Sequence, residues 1–392
     1  MLVAEVQPYS ASAAVDAAVA TMRALALRAL PRMYRADDGL FVFRLRRDPN
    51  GGEIAEGLSR RYTAIVLIGL STEEPSAAPA VLAGERGADA AQRLVSQVET
   101  WDNLGDVALT LWAARAWGVD AAGALRRLLA LRPLDDPHPT VELAWALAAL
   151  CIHGILENAE DLTRPLGQRV LSAYEPRSGL FAHKPTGAPR PGLRAHVGCF
   201  ADQVYPIQAL AHYFAAARDA TALDAARLCA RAICDAQGAA GQWWWHYDVR
   251  TGHVIEGYPV YSVHQDAMAP MALFALQSAA EGTQHAARDT QHSVERGVQW
   301  LLHPPETQEP LIDTAADLIW RKVGRYEPGK LSRGLQALAS RVHPALRVPA
   351  IERAFPPGRI DYECRPYHLG WLLHAWTPDR VPPESSRSES DS

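Results

Sequence analysis

Two aspartates carry the chemistry that this sequence most readily suggests. Asp202 in CFADQVYPIQALAHYFAAA and Asp266 in HQDAMAPMALFALQSAA are each the single charge of a long apolar run. Hydrolysis of a glycosidic bond needs two such carboxyl groups, one to donate a proton and one to act as base or nucleophile. His264 and Tyr261 stand beside Asp266 and could help to carry protons. Elimination or epimerisation would instead need a base and an acid flanking a C–H next to a carboxylate, with a cation holding that carboxylate. Tyr261 or His264 with Arg365 supplies that set. Trp243, Trp244, Trp245 and Tyr247 in GQWWWHYD offer flat aromatic surface for the C–H faces of sugar rings. Alternation along that stretch sends one or two of the three tryptophans into the core.

These residues need elements to hold them. Long helical patterns dominate the chain, and they come in two kinds. One kind is amphipathic, near 11–31, 86–99, 120–131, 160–174 and 220–237. The other is apolar nearly all round, near 60–70, 102–117, 139–153, 199–217, 262–279 and in RPYHLGWLLHAW, as expected for helices buried on every side. The two kinds alternate, with buried helices about 40–60 residues apart, which is the signature of stacked helical hairpins. One or two further pairs are expected within 289–343.

The apolar runs begin with polar clusters: Arg61–Tyr62, Asp102–Asn103–Asp106, Glu142, Asp202–Gln203–Tyr205, His264–Gln265–Asp266 and Arg365–Tyr367–His368. Pro206, Pro270 and Pro366 lie close behind, and proline suits a first helical turn. The clusters therefore mark helix N-termini. An open solenoid would leave each helix a wet edge. The scarcity of such edges favours ring closure, in which all inner N-termini meet at one mouth. DGLFVFR, SGLFAHK and GQWWWHYD each precede a polar cluster by about 20 residues and are expected as hairpin-like loops over that rim. Asp202 and Asp266 are then acid and base, with His264 or Tyr261 as helper. Substrate would be held by Trp243, Trp244, Trp245, Tyr247, Arg61, Tyr62, Asp102, Asn103, Gln203, Gln265, Arg365, Tyr367 and His368.

Composition bounds the alternatives. The chain has 392 residues, 48% hydrophobic and 21% charged, with a net charge of −5 scattered along it. No basic stripe supports nucleic-acid binding. Five cysteines, mostly far apart, suggest reduced thiols and a cytoplasmic protein. The N-terminal stretch looks like an amphipathic helix rather than a signal peptide, and no run is long enough to span a bilayer. One domain is expected over 1–377, followed by a disordered polar tail at 378–392.

The pattern resembles the (α/α) toroids: all-α rings of six to seven helical hairpins, with short loops over the inner-helix N-terminal mouth. That group includes glycoside hydrolases, polysaccharide lyases, sugar epimerases, terpene cyclases, prenyltransferase β-subunits and lanthionine cyclases. The resemblance implies the fold, which hosts many reactions; the aromatic and acidic residues above point to an enzyme acting on a sugar or oligosaccharide, with no cofactor expected. A terpene cyclase is the runner-up; GQWWW resembles its Gln/Trp repeats, but DxDD and DDxxD motifs are absent. A Zn site would draw on Cys199, Cys364 and His368, and Mg is the other metal alternative. A non-catalytic helical scaffold is the remaining reading.

Overall fold

The computed structural model describes residues 13–381 except 189–191, 193, 282, 284–289, 329–330 and 344–348. The tail expected to be disordered from 378 thus lies mostly outside the described residues.

Six outer helices alternate along the chain with six inner ones. The outer set is α1 (Ala13–Met33), α4 (Gly87–Gln97), α6 (Ala122–Ala130), α8 (Glu160–Leu171), α10 (Ala220–Asp235) and α12 (Thr290–Leu302). The inner set is α2 (Arg60–Leu70), α5 (Leu104–Ala116), α7 (Thr140–Cys151), α9 (Ala201–Ala217), α11 (Ala269–Ala280) and α15 (Pro366–Ala375). Three shorter or peripheral helices complete the α-helices among the described residues: α3 (Ala77–Val81), α13 (Leu331–Val342) and α14 (Pro349–Ala354). Each inner helix packs on the next, and α15 packs back on α2, so the ring is closed. The inner helices are buried almost throughout, as their all-round apolar sequences require.

The stretch 289–343 does not hold the one or two helix pairs expected of it. It supplies one outer helix, α12, then strands at Lys322–Arg325 and the peripheral helix α13. Burial alternates along this strand, with Val323 and Arg325 as its buried members. This strand pairs with Val260–Tyr261 on one side and Pro357–Asp361 on the other.

Side chains at inner-helix starts do local work. Ser59 accepts a hydrogen bond from the Tyr62 N–H at 3.2 Å, and Asn103 accepts one from the Asp106 N–H at 3.0 Å. Both are N-caps. Pro366 opens α15 and Pro270 lies in the first turn of α11, whereas Pro206 sits deeper, inside α9. His264–Met268 winds as one π-turn ahead of Pro270. Pro270 has no N–H to offer the Asp266 carbonyl, which accepts from Trp376 Nε1 at 2.7 Å instead.

The three glycine–aromatic stretches share one device. Phe41, Phe181 and Trp243 each follow a positive-φ glycine by two residues, and each is fully buried. The Phe41 N–H donates to Thr63 Oγ1 at 2.9 Å, Phe181 to Gln203 Oε1 at 2.8 Å and Trp243 to Gln265 Oε1 at 3.0 Å. The sequence separation is 22 residues every time. Each loop thus plugs its aromatic between helices and is stitched to the inner helix that follows.

Candidate active site at the mouth of the helical ring

The N-terminal ends of the inner helices carry polar side chains that bond to one another in groups. Arg61 donates from Nε to Asp106 Oδ1 and from Nη2 to Asn103 Oδ1, both at 2.7 Å. Asn103 Nδ2 donates to Glu142 Oε1 at 3.0 Å. Beyond Glu142 stands His183, exposed, with Nδ1 3.1 Å from Oδ1 of buried Asp202. The other Asp202 oxygen accepts the Cys199 N–H at 2.8 Å. The hydrogen bond and charge of Asp202 raise the His183 pKa above its ordinary value. This acid arc spans α5, α7 and α9. Asp102, the other acid of its cluster, is exposed.

The opposite side of the mouth is cationic. A cavity of about 430 Å³ is lined by Arg321, Lys322, Arg325, Arg333 and Arg359, with Glu327 and Asp361 as the acids. Trp245, Tyr258 and Tyr261 supply its aromatic walls. The Arg333 guanidinium lies 4.3 Å from the Trp245 ring and Arg321 lies 5.2 Å from Tyr261. Burial pushes the Tyr261 phenol up to about 12, so it stays protonated at neutral pH. Arg333 and Arg194 flank fully buried Glu256, each at 3.8 Å from Oε1, and His246 bonds to the same oxygen.

Between the arcs, Arg365 Nη1 donates to the Tyr62 hydroxyl at 3.0 Å and also pairs with Glu363. Tyr62 stacks on Phe43 at 5.4 Å and meets Tyr367 at 4.7 Å. Burial raises the Tyr367 phenol pKa far above the usual range. Tyr205 forms the floor against Trp145 at 4.9 Å. Phe43, Tyr62, Arg61 and Asp106 also line a second cavity, of about 560 Å³, on the acid side.

The structure therefore brings Arg61, Tyr62, Asn103, Trp245, Tyr261, Arg365 and Tyr367 to the mouth. It places Trp244 half-buried against Tyr258, at 6.1 Å. Other expected ligand contacts are enclosed. Trp243 and Tyr247 have no exposed surface and are core residues: Trp243 packs against Phe200 at 5.7 Å, and Tyr247 lies in the strand His246–Asp248, buried throughout. Gln203 and Gln265 are the loop anchors described above, also without exposed surface. Asp266 has none either; both its oxygens meet His368 Nε2, at 2.7 and 2.9 Å. His264 is buried between Phe200 and Tyr261, and burial lowers its pKa to about 3. Asp202 touches the mouth through His183.

Sequence reasoning missed His183, the five cations of the cavity, and the Glu256–His246 pair behind them. The cations come from Arg321, from the strands Lys322–Arg325 and Pro357–Asp361 and from α13, largely in a stretch expected to hold further helix pairs. RKVGR itself, with three cations in five residues, was the available signal. Among the described residues no group of three or more His, Cys, Asp or Glu is arranged to hold a metal ion. His368, paired with Cys364 in the Zn alternative, turns Nε2 to Asp266. No described helix is long and apolar enough to cross a membrane.

No family model matches the chain, and no curated protein does. Solved structures do. An unsaturated glucuronyl hydrolase specific for heparin superposes with a TM-score of 0.58 at 13% identity, over 94% of this chain and 96% of that one. The unsaturated glucuronyl hydrolase of Streptococcus agalactiae gives 0.53 at 9%, over 97% and 98%. That of Bacillus sp. GL1, responsible for glycosaminoglycan degradation, gives 0.52 at 12%, over 92% and 95%. Identities this low establish the fold: the chain is an (α/α) toroid whose nearby architectures belong to sugar-cleaving enzymes.

Proposed function

We propose that this protein hydrolyses an acidic oligosaccharide lying across the mouth of the ring. The observation that carries the reading is the pairing of an accessible acid arc with an aromatic-walled cavity holding five cations. A concave site that combines apolar walls with convergent ionisable groups is where ligands bind. Five cations against two acids favour a substrate that brings negative charge. The toroids of matching architecture include enzymes described as acting on glucuronyl groups and glycosaminoglycan, which supports the same substrate class.

In this reading the carboxylate of a uronic-acid residue lies against Arg321, Lys322, Arg325, Arg333 and Arg359, with Trp245 and Tyr261 flanking its ring. The neighbouring sugar reaches past Tyr62 and Arg365 towards Asp106. Glu142 is the proton-transferring carboxyl group. His183 is its partner, held in orientation by Asp202 at 3.1 Å. Asp202 thus keeps a part in the chemistry through the imidazole. Asp266, committed to His368, holds α15 to the π-turn instead.

The test is a turnover assay on matched uronic-acid-bearing and neutral oligosaccharides. Release of product from the acidic set alone is the expected result. Turnover confined to neutral sugars would sink the proposal, and so would full activity of Glu142→Gln. General acid–base groups contribute about 10²–10⁴-fold, so that variant loses activity in this range.

A further inference from the structure

The five cations of the mouth cavity differ in what already holds them. Arg321 pairs with Glu363 at 3.2 Å and Asp361 at 3.5 Å, and Lys322 pairs with Asp361 at 3.0 Å. Arg325 is buried and donates from Nη1 to the Phe355 carbonyl at 2.9 Å. Arg359 is exposed, where salt screens its charge. Arg333 is part-buried and enters the cavity from the first turn of α13.

Behind Arg333 lies Glu256, a carboxylate with no exposed side-chain surface. Its Oε1 stands 3.8 Å from Arg333 Nε and 3.8 Å from Arg194 Nη2, and it accepts from His246 Nδ1. Burial lowers the His246 pKa, so that ring adds no charge. One carboxylate therefore serves two guanidiniums, and among the described residues no other acid pairs with either. The group keeps one surplus positive charge. Of its four members only Arg333 lines the cavity, so the surplus is displayed there. Glu327, also in the lining, is turned to α13, where it accepts the Ser332 N–H at 2.7 Å.

Glu256 holds Arg333 in two ways. It faces the guanidinium directly, and it pairs with Arg194, whose Nη1 donates to the Arg333 carbonyl at 3.3 Å. The Arg333 guanidinium carbon in turn stands 4.3 Å from the Trp245 ring. With Nε towards Glu256, Nη1 and Nη2 form the fork that meets a carboxylate in two parallel bonds.

We propose that Arg333 selects the acidic sugar through a bidentate bond from Nη1 and Nη2 to its carboxylate, and that buried Glu256 is the positioning residue that aims this fork beside Trp245. The proposal rests on the acidic-oligosaccharide reading of the site and narrows its five cations to one.

The experiment titrates the whole protein by calorimetry with methyl β-D-glucuronide and with its neutral match, methyl β-D-glucoside. The glucuronide should bind and the glucoside should not. Arg333→Gln should weaken glucuronide binding about tenfold or more, as the loss of hydrogen bonds to a charged group implies, and by more than Arg321→Gln does. Arg333→Lys keeps the charge without the fork and should recover little of the affinity. Glu256→Gln should weaken binding by a similar factor, and the double variant no further, because Glu256 acts through Arg333. A residue that only supports the fold would instead add its loss to that of Arg333→Gln. Where Glu256→Gln does not fold, Glu256→Asp keeps the charge one carbon short and should show the same saturation. Additive losses overturn the positioning role. A larger loss from Arg321→Gln than from Arg333→Gln, or no glucuronide binding by the wild type, overturns the assignment of Arg333. Cleavage of acidic oligosaccharides with an affinity indifferent to Arg333 sinks this inference alone. Arg333-dependent glucuronide binding by a protein that cleaves no oligosaccharide sinks the hydrolytic reading alone.

Discussion

The same inner helices end in two different ways. At their N-terminal ends the side chains are charged, partly exposed and shared between neighbours: Arg61 to Asp106, Asn103 to Glu142, Asp202 to His183. At their C-terminal ends sit His212, His374 and Gln208, with His153 and Arg115 nearby and one charge among them. Arg115 is itself used up, its guanidinium donating to the carbonyls of Ala149 at 2.7 Å and Gly154 at 3.1 Å. A helix N-terminus favours carboxylates and a C-terminus favours cations. The first half of that rule holds at the mouth. At the far end the second half loses, because burial disfavours the protonated imidazoles more than the dipole favours them. One end of the ring is built to meet a ligand, and the other to exclude charge.

This contrast can be broken by substitution. The largest expected effect is Glu142→Gln, which should lower kcat/KM by about 10²–10⁴-fold while the melting temperature hardly moves. A fall in stability with activity kept would make the acid arc a structural network. Next is Asp266→Asn, which weakens a fully buried contact to His368. It should cost about 1–3 kcal/mol of stability, read as a lower midpoint in urea. Loss of turnover at unchanged stability would return Asp266 to the chemistry.

The far end should reveal itself through pH. His212 and His374 have folded pKa values of about 4 and about 3, below the ordinary 6.5. The unfolded chain therefore binds protons that the folded one refuses. Their contribution to stability is complete above about 6.5 and is lost as the pH falls from there through about 4 for His212 and about 3 for His374. His212→Phe should flatten that part of the stability profile; an unchanged slope would mean that other groups set it. The smallest effect belongs to the mouth. His183 is held above its ordinary pKa by Asp202, so Asp202→Asn should move its NMR titration midpoint down. No movement would detach His183 from Asp202 and weaken its assigned role.

Helix periodicity alone marked out most of the ring. The buried helices expected near 60–70, 102–117, 139–153 and 199–217 appear as α2, α5, α7 and α9, because a helix apolar on all faces has only one place to go. Polar clusters at their starts likewise located the mouth. The stretch 289–343 was opaque because its cavity-lining segment is a short strand paired with residues far away in sequence. Nothing local records such pairing.

What the sequence by itself determined is the succession of wet-faced and buried helices, their polar N-terminal ends and the recurrence of a glycine–aromatic stretch about 20 residues ahead of a polar cluster. These follow from nearest-neighbour spacing along one chain. Only the tertiary structure decided which polar groups face solvent. Asp202 and Asp266 look alike in sequence, each the lone charge of an apolar run. In the fold, one is backed onto an exposed histidine and the other is sealed against a buried one. The difference lies in what the next helix brings alongside: the His183 loop for Asp202, and α15 for Asp266.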